Sequence, residues 1–227
     1  MRGDVLVIVD VLSFSTAAVV AVSRGAQLYP CIDEETARQC AAFHSAEIAV
    51  RREAVPAHGR FSLSPSSFLN AGAADRIALP SPNGAACCRL GASAPAVLVA
   101  CLLNASAAAR AAAHFAELHQ ANTTVLACGE RWQEPSDEGV LRFALEDYLG
   151  AGAVLASITG IHSPEAAVCA AAFRSEQANL LAHLEECASG IELRERGWNQ
   201  DVEFAARLDV FDTVPVLAGD CLMPYAS

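Results

Sequence analysis

The 227-residue chain contains no lysine: all 15 basic residues are arginine, set against 26 acidic residues, for a net charge of −11. The missing lysine accompanies abundant alanine and marks a compositional bias rather than a function. An acidic chain without a basic run argues against nucleic acid as the main partner. It leaves room for a small anion held locally by a few arginines and helix N-termini. No charge-free apolar stretch of about 18 residues occurs, so no membrane span is expected. The N-terminal segment lacks a long apolar run and a cleavage pattern, and a strand is predicted to begin almost at Met1. No leader is expected there.

Several chemical signatures are also missing. Nine cysteines are present, an odd number, with no CxxC spacing and with Cys87 and Cys88 adjacent. Most lie in apolar runs, such as "VLVACLL" around Cys101 and "VLAC" ending at Cys128. Buried free thiols in a reducing cytoplasm are expected, rather than a disulfide framework or a zinc site. No GxxxxGK[ST] loop or GxSxG elbow occurs. Cys169 and Arg174 are one residue too close for a cysteine-phosphatase loop, and neither "DVLS" nor "DVFDT" fits the DxDx[TV] pattern of aspartate phosphatases. "GAGAVL" at Gly150 and Gly152 imitates part of a dinucleotide fingerprint but lies within a helical pattern and lacks the third glycine. The six histidines are scattered without metal-ligand spacing.

What is present is a hydrophobic content of 53%, arranged as strand-length apolar runs alternating with alanine-rich helical stretches. The runs "VLVIVD", "AQLYPCI", "DRIALP", "AVLVACL" and "TTVLACG" are nearly continuous rather than alternating, which implies burial on both faces. The first is followed by a predicted helix over 15–24, and the second by a helix opening near Asp33, whose acidic first turn suits the helix dipole. The pattern predicts one α/β domain over residues 1–227, a three-layer α/β/α fold with a mostly parallel or mixed sheet. Residues 50–75 read as an irregular excursion. A polar loop follows "TTVLACG", then a helix around "LRFALEDYLGAGAVL". Residues 163–207 are helical, and a last strand is predicted near Thr213 to Leu217. An alanine-rich, apolar chain of this kind also suits a homo-oligomer.

Ligands of open parallel sheets sit beyond the carboxyl ends of the strands. Four such ends carry polar residues: Asp10 with Ser13, Ser15 and Thr16; Ser81 with Asn83 and Gly84; Asn104 with Ser106; and Glu130 with Arg131. Helix capping alone accounts for any one hydroxyl or amide. Asp10 is harder to explain that way, because a carboxylate directly after "VLVIV" is at least partly buried and then needs a hydrogen bond, a counter-charge or a metal. In the helix predicted around "LRFALEDYL", Arg142 and Glu146 fall four residues apart on one face, either as a surface ion pair or as part of a site with Glu146 or Asp147. Asp212, near Asp209, either caps a turn or joins the acids. Hydroxyls and helix N-termini suit phosphate, and clustered carboxylates suit a hard cation such as Mg²⁺, a combination that fits metal-assisted phosphoryl chemistry.

The ordered segments "VIVDVLSFSTA", "PNGA", "LNASA", "RFALEDYLGAGAV" and "DVEFAARLDVFDTVPVL" resemble the 2-phosphosulfolactate phosphatase (ComB-like) family along nearly the whole chain. The resemblance implies an α/β/α fold and Mg²⁺-dependent removal of phosphate from 2-phospho-3-sulfolactate, a step in coenzyme M biosynthesis. With it, Asp10 becomes a Mg²⁺ ligand or the group attacking phosphorus. Ser13, Ser15, Thr16, Asn83, Gly84 and Asn104 become phosphate binders. Arg142 balances charge, and Glu146, Asp147 and Asp212 hold metal or position water. The chain departs from the family pattern at Ser13, where an arginine is usual. Residues 59–67, "GRFSLSPSS", keep Phe61 and Leu63 but replace acidic and asparagine positions with Ser62 and Ser64. Arg51, Arg52 and Arg60 are the candidates for restoring the lost positive charge.

Overall fold

The computed structural model describes residues 3–136 and 139–225. Ten strands occur among them: Val5–Val9 (β1), Gln27–Cys31 (β2), Glu47–Ile48 (β3), Arg76–Pro80 (β4), Val97–Ala100 (β5), Thr123–Ala127 (β6), Glu130–Ser136 (β7), Gly139–Arg142 (β8), Pro215–Ala218 (β9) and Cys221–Pro224 (β10). The helices are Phe14–Ser23 (α1), Glu34–His44 (α2), Gly84–Leu90 (α3), Ala105–His119 (α4), Leu145–Ser157 (α5), Pro164–Glu176 (α6), Leu180–Glu186 (α7), Ala188–Glu195 (α8) and Asn199–Ala205 (α9). Eight strands make one mixed sheet in the order β3-β4-β2-β10-β9-β5-β1-β6, with helices packed on it as an α/β/α sandwich. Two parallel groups, β5-β1-β6 and β2-β4-β3, are joined by the antiparallel β9–β10 hairpin.

The centre of the sheet follows from its composition. β1 carries Val5, Val7, Ile8 and Val9, all without solvent exposure, between β5 and β6. α1 is apolar on every side, and all its residues from Phe14 to Val22 are buried, as a helix hydrophobic all round must be. It packs on β2, β5, β9 and β10, and the excursion over residues 50–75 covers it. There Phe61 and Phe68 stack with ring centroids 5.2 Å apart and join the same core. Full burial of side chains of this size contributes roughly 1.5–3 kcal/mol each.

Two local expectations are corrected, and a third, the strand near Thr213 to Leu217, is present as β9 and extended. The polar stretch after β6 is not a loop but the hairpin β7–β8, with Arg142 paired to Glu130 across the strands. Arg142 therefore ends a strand. The next helix starts only at Leu145, after an extended Ala144, so Arg142 and Glu146 share no helix face. The last predicted strand is likewise a hairpin, closed by a two-residue turn in which Gly219 takes φ +66°, a conformation glycine adopts at no steric cost.

Candidate active site

The mouth of β1 is built from its own sequence. Asp10 ends the strand, and its loop folds back so that the Ser15 N–H donates to the Asp10 carbonyl (2.8 Å) and the Asp10 N–H to Ser15 Oγ (2.9 Å). Thr16 Oγ1 donates to the Val11 carbonyl at 2.7 Å. Ser15 and Thr16 have no exposed surface, so their hydroxyls hold the loop in shape. This corrects the expectation that they face phosphate: the apolar helix that follows draws them into the core, where a hydroxyl must find a partner.

Asp10 is itself buried, at 5% exposure. Its Oδ1 accepts from the Phe14 N–H (3.2 Å) and its Oδ2 from the Gly84 N–H (2.8 Å). A Cβ on Gly84 would lie 2.4 Å from Phe14 Cδ1 and 2.8 Å from Asp10 Oδ2, so only glycine lets this turn approach. Asn83, beside it, donates from Nδ2 to Glu130 Oε1 at 2.7 Å and so brings the start of β7 to the site. Gly84 and Asn83 thus reach the site through Asp10 and Glu130.

α5 adds the second carboxylate. Asp147 Oδ1 accepts from the Val11 N–H (2.7 Å) and Oδ2 from the Gly129 N–H (3.0 Å), bridging the ends of β1 and β6. One turn on, a Cβ at Gly150 would sit 2.6 Å from Val11 Cγ2 and 2.9 Å from Val9 Cγ1. The glycines of "GAGAVL" therefore serve close helix packing, and that packing puts Asp147 within reach of Val11. Glu146, also buried, contacts the Cys187 thiol, which burial above all pushes up to about 12.

The electrostatics identify these acids as one group. Burial raises Asp10 to about 6; the Gly84 and Phe14 N–H groups oppose the rise, while Glu130 and Glu146 add to it. Asp147 is held well above the ordinary carboxylate range by burial first, then by the charges of Asp10 and Glu146. Buried acids that raise one another in this way recur at functional sites, which makes this centre the candidate.

The other candidates lie elsewhere or do other work. Asn104 is fully buried, and its amide bonds only backbone, at Cys101, Val99 and Thr213; it ties β5 to the segment before β9 and offers nothing to a phosphate, which corrects its assignment. Arg142 donates to Glu192 Oε1 (2.7 Å) and Ser189 Oγ (3.3 Å), beneath Trp132. It binds α8 rather than Glu146, because the hairpin fixes its backbone. Asp212 is 98% exposed and pairs with Arg110 at 3.4 Å, so it does not join the buried acids. Asp209 receives the Ser106 N–H and hydroxyl at the start of α4. Ser13 is met by Arg52, whose Nη2 donates to its Oγ at 2.6 Å.

Three residues stand in the site or against it without having been given a site role from sequence: Glu130, noted only as a strand-end acid, Arg52, noted only as one of three candidate counter-charges, and Asp201, not noted at all. Glu130 directly follows an apolar strand end, a readable position. Arg52 lies in the arginine-rich excursion, where only the absent arginine at position 13 pointed to it. Asp201 opens the segment "DVEFAARLDVFDTVPVL" and gave no signal of its own.

A hard divalent cation fits the donor chemistry. Asp10, Glu146 and Asp147 offer only oxygen, are buried, and have no ion-pair partner among the described residues. No three His, Cys, Asp or Glu side chains converge as a ready-made ligand set among those residues. That pattern suits Mg²⁺, which is commonly held by one or two carboxylates together with waters and substrate phosphate oxygens.

A buried acidic centre at the mouth of a parallel strand in an α/β/α sandwich is the architecture of a site for small charged metabolites. The family model of 2-phosphosulpholactate phosphatase matches residues 1–220, so the chain belongs to that family. It is also similar to a protein of Gloeobacter violaceus described as a probable 2-phosphosulfolactate phosphatase, with 32% identity over 96 residues. The match spans 42% of this chain and 38% of that protein's length. No helix among the described residues is long and apolar enough to cross a membrane.

Proposed function

We propose that the protein is a Mg²⁺-dependent phosphomonoesterase that acts on 2-phosphosulfolactate, releasing phosphate and sulfolactate. Asp10 carries this reading: a buried carboxylate at the end of β1, fixed on both oxygens by the Phe14 and Gly84 N–H groups and joined electrostatically to Glu146 and Asp147. The family assignment supplies the reaction class.

The chain's own groups would work as follows. The two N–H donors fix the plane of the Asp10 carboxylate, so that its free lone pairs point at one place without reorganisation. In one route an Asp10 oxygen attacks phosphorus, the P–O bond to the substrate carbon breaks, and water then cleaves the aspartyl phosphate. In the other, a water attacks phosphorus directly and the same P–O bond breaks, with Asp10 and Asp147 the residues that would hold the cation. When bound, Mg²⁺ would neutralise charge on the phosphoryl oxygens. In both routes the sulfolactate alkoxide leaves with a proton from solvent or from a protonated acid of the cluster.

A second reading is the same chemistry on another small phosphorylated hydroxy acid, favoured by Ser13 in the place of the usual arginine. A panel of phosphate esters, including 2-phosphosulfolactate, assayed for phosphate release with Mg²⁺ and with EDTA, separates the two. The first reading expects the highest kcat/KM on 2-phosphosulfolactate, abolished by EDTA. A different best ester favours the second reading, and no release from any ester rejects both.

A further inference from the structure

We propose that Arg52 binds the non-transferred acidic end of the substrate, the sulfonate in the reading above, and so sets the preference for phosphate esters with an acidic tail. The inference rests on the phosphoryl reading of the Asp10 site and adds a second subsite to it.

Arg52 begins a short 3₁₀ turn, Arg52–Ala54, in the excursion that covers α1. Its guanidinium is held along one side. Nε donates to Asp201 Oδ2 at 2.8 Å, and Nη2 donates to Ser13 Oγ at 2.6 Å and to the Leu63 carbonyl at 3.3 Å. Asp201 is buried, and its other oxygen accepts from Ser64 Oγ at 2.6 Å. An arginine has five N–H donors in a rigid fork. Three are engaged here, while Nη1 donates to nothing among the described residues. The frame of Asp201, Ser13 and Leu63 therefore fixes the fork and leaves one nitrogen unused.

That nitrogen belongs to a side chain lining an open cavity of about 1340 Å³. Pro80 and Pro82, which lead into the turn that holds Asp10, line the same cavity. Ser13 lies between Arg52 and the Asp10 loop. No acid of the centre lines the cavity; the links between the two are Arg52, bonded to Ser13 three residues past Asp10, and Pro82, two residues before Gly84. Arg51 and Arg196 also line it, and neither has an ion-pair partner among the described residues. Of the acidic lining residues, Glu34 is paired with Arg38 and Glu47 with Arg60, leaving Glu53 uncompensated. Two free guanidinium groups, the open side of Arg52 and one free carboxylate make a wall suited to an anion. A sulfonate or carboxylate offers the oxygen acceptors that a charged N–H donor binds most strongly.

A purely structural ion pair between the excursion and α9 would explain the Asp201 contact but not ligand selectivity, and this separates the two roles. Isothermal titration of the wild-type protein and Arg52→Lys with 3-sulfolactate and with lactate reads the subsite without turnover. The wild type is expected to bind 3-sulfolactate at least about tenfold more tightly than lactate, the range of one charge-assisted hydrogen bond. Arg52→Lys, which keeps the charge but not the fork, should cut that ratio to about twofold. Ser13→Ala keeps Arg52 and loosens one of its holds; it should weaken 3-sulfolactate binding by about threefold with little change for lactate. Equal wild-type affinities for the two acids, or an unchanged ratio in Arg52→Lys, would overturn the proposal. Equal wild-type affinities decide against the proposal even where a variant fails to fold. In parallel, phosphate release from 2-phosphosulfolactate by Arg52→Lys should show a raised KM, with kcat changed less. A protein that binds 3-sulfolactate selectively but releases phosphate from no ester would sink the phosphatase reading and leave the Arg52 subsite standing.

Discussion

Two sets of acids in this chain look alike as sequence and behave differently as structure. Asp10 ends one apolar strand, and Asp209 and Asp212 precede another. Asp10 and Asp147 are each buried and accept two backbone N–H bonds across segments far apart in the chain. Asp212 stands in solvent, and Asp209 caps a helix start. The difference comes from position in the sheet. β1 lies between two parallel neighbours with α1 and α5 packed against its mouth, so a carboxylate there is trapped among N–H donors and other carboxylates. The segment before β9 has no such cover. Burial and shared repulsion, rather than carboxylate identity, distinguish an acid with a raised pKa from a solvated one.

Four perturbations sharpen that comparison, in falling order of expected effect on stability. Asp147→Ala leaves the Val11 and Gly129 N–H groups without their acceptor and should cost about 2–4 kcal/mol in chemical denaturation. Loss of less than about 0.5 kcal/mol would mean the bridge carries no structural weight. The second is pH. The folded state holds the Asp10 proton up to about 6, above the ordinary 3.8, and Asp147 shifts the same way. Between those values the folded state binds more protons than the unfolded one, so stability falls as pH rises from 4 to 7 in metal-free protein. Asp10 and the acids that raise it together account for a fall on the order of a few kcal/mol. Urea midpoints across this range should drop, and more shallowly in Asp10→Asn; a rise through the same window would contradict the burial argument. Third, Gly84→Ala forces a methyl against Asp10 and Phe14 and should cost about 1–3 kcal/mol, together with most of the activity. Wild-type values for both would show that the turn can retreat. Last, Asp212→Asn should alter stability by less than about 0.5 kcal/mol and leave turnover as in wild type; a large loss of activity would return Asp212 to the site.

The layers were legible because continuous apolar runs mean two-sided burial, and β1, β2, β4 and β5 follow that rule; β6 breaks it, since it lies at the edge of the sheet, is only partly buried and leaves Leu126 exposed. The hairpins were harder. β7 and β8 have no apolar alternation, and their pairing rests on backbone hydrogen bonds that composition does not record. The β9–β10 hairpin did carry a signal, the Gly219-Asp220 pair between apolar residues. Within the site, Asp10 was readable because a carboxylate after five apolar residues needs a partner. Ser15 and Thr16 were misread because sequence shows hydroxyls near a strand end but not which way α1 turns them. Arg142 was misplaced by a helical pattern extended four residues too far, from Leu145 back to Leu141. Arg52 and Asp201 were invisible as a pair, since 149 residues separate them and no local periodicity links such positions.

The most direct test of the Asp10 centre is phosphate release by wild type and Asp10→Asn, measured side by side with Mg²⁺ and accompanied by thermal unfolding. The expected result is a fall in kcat/KM of about a thousandfold or more with a melting temperature within a few degrees of wild type. An Asp10→Asn protein that is folded and turns over as wild type would contradict the account.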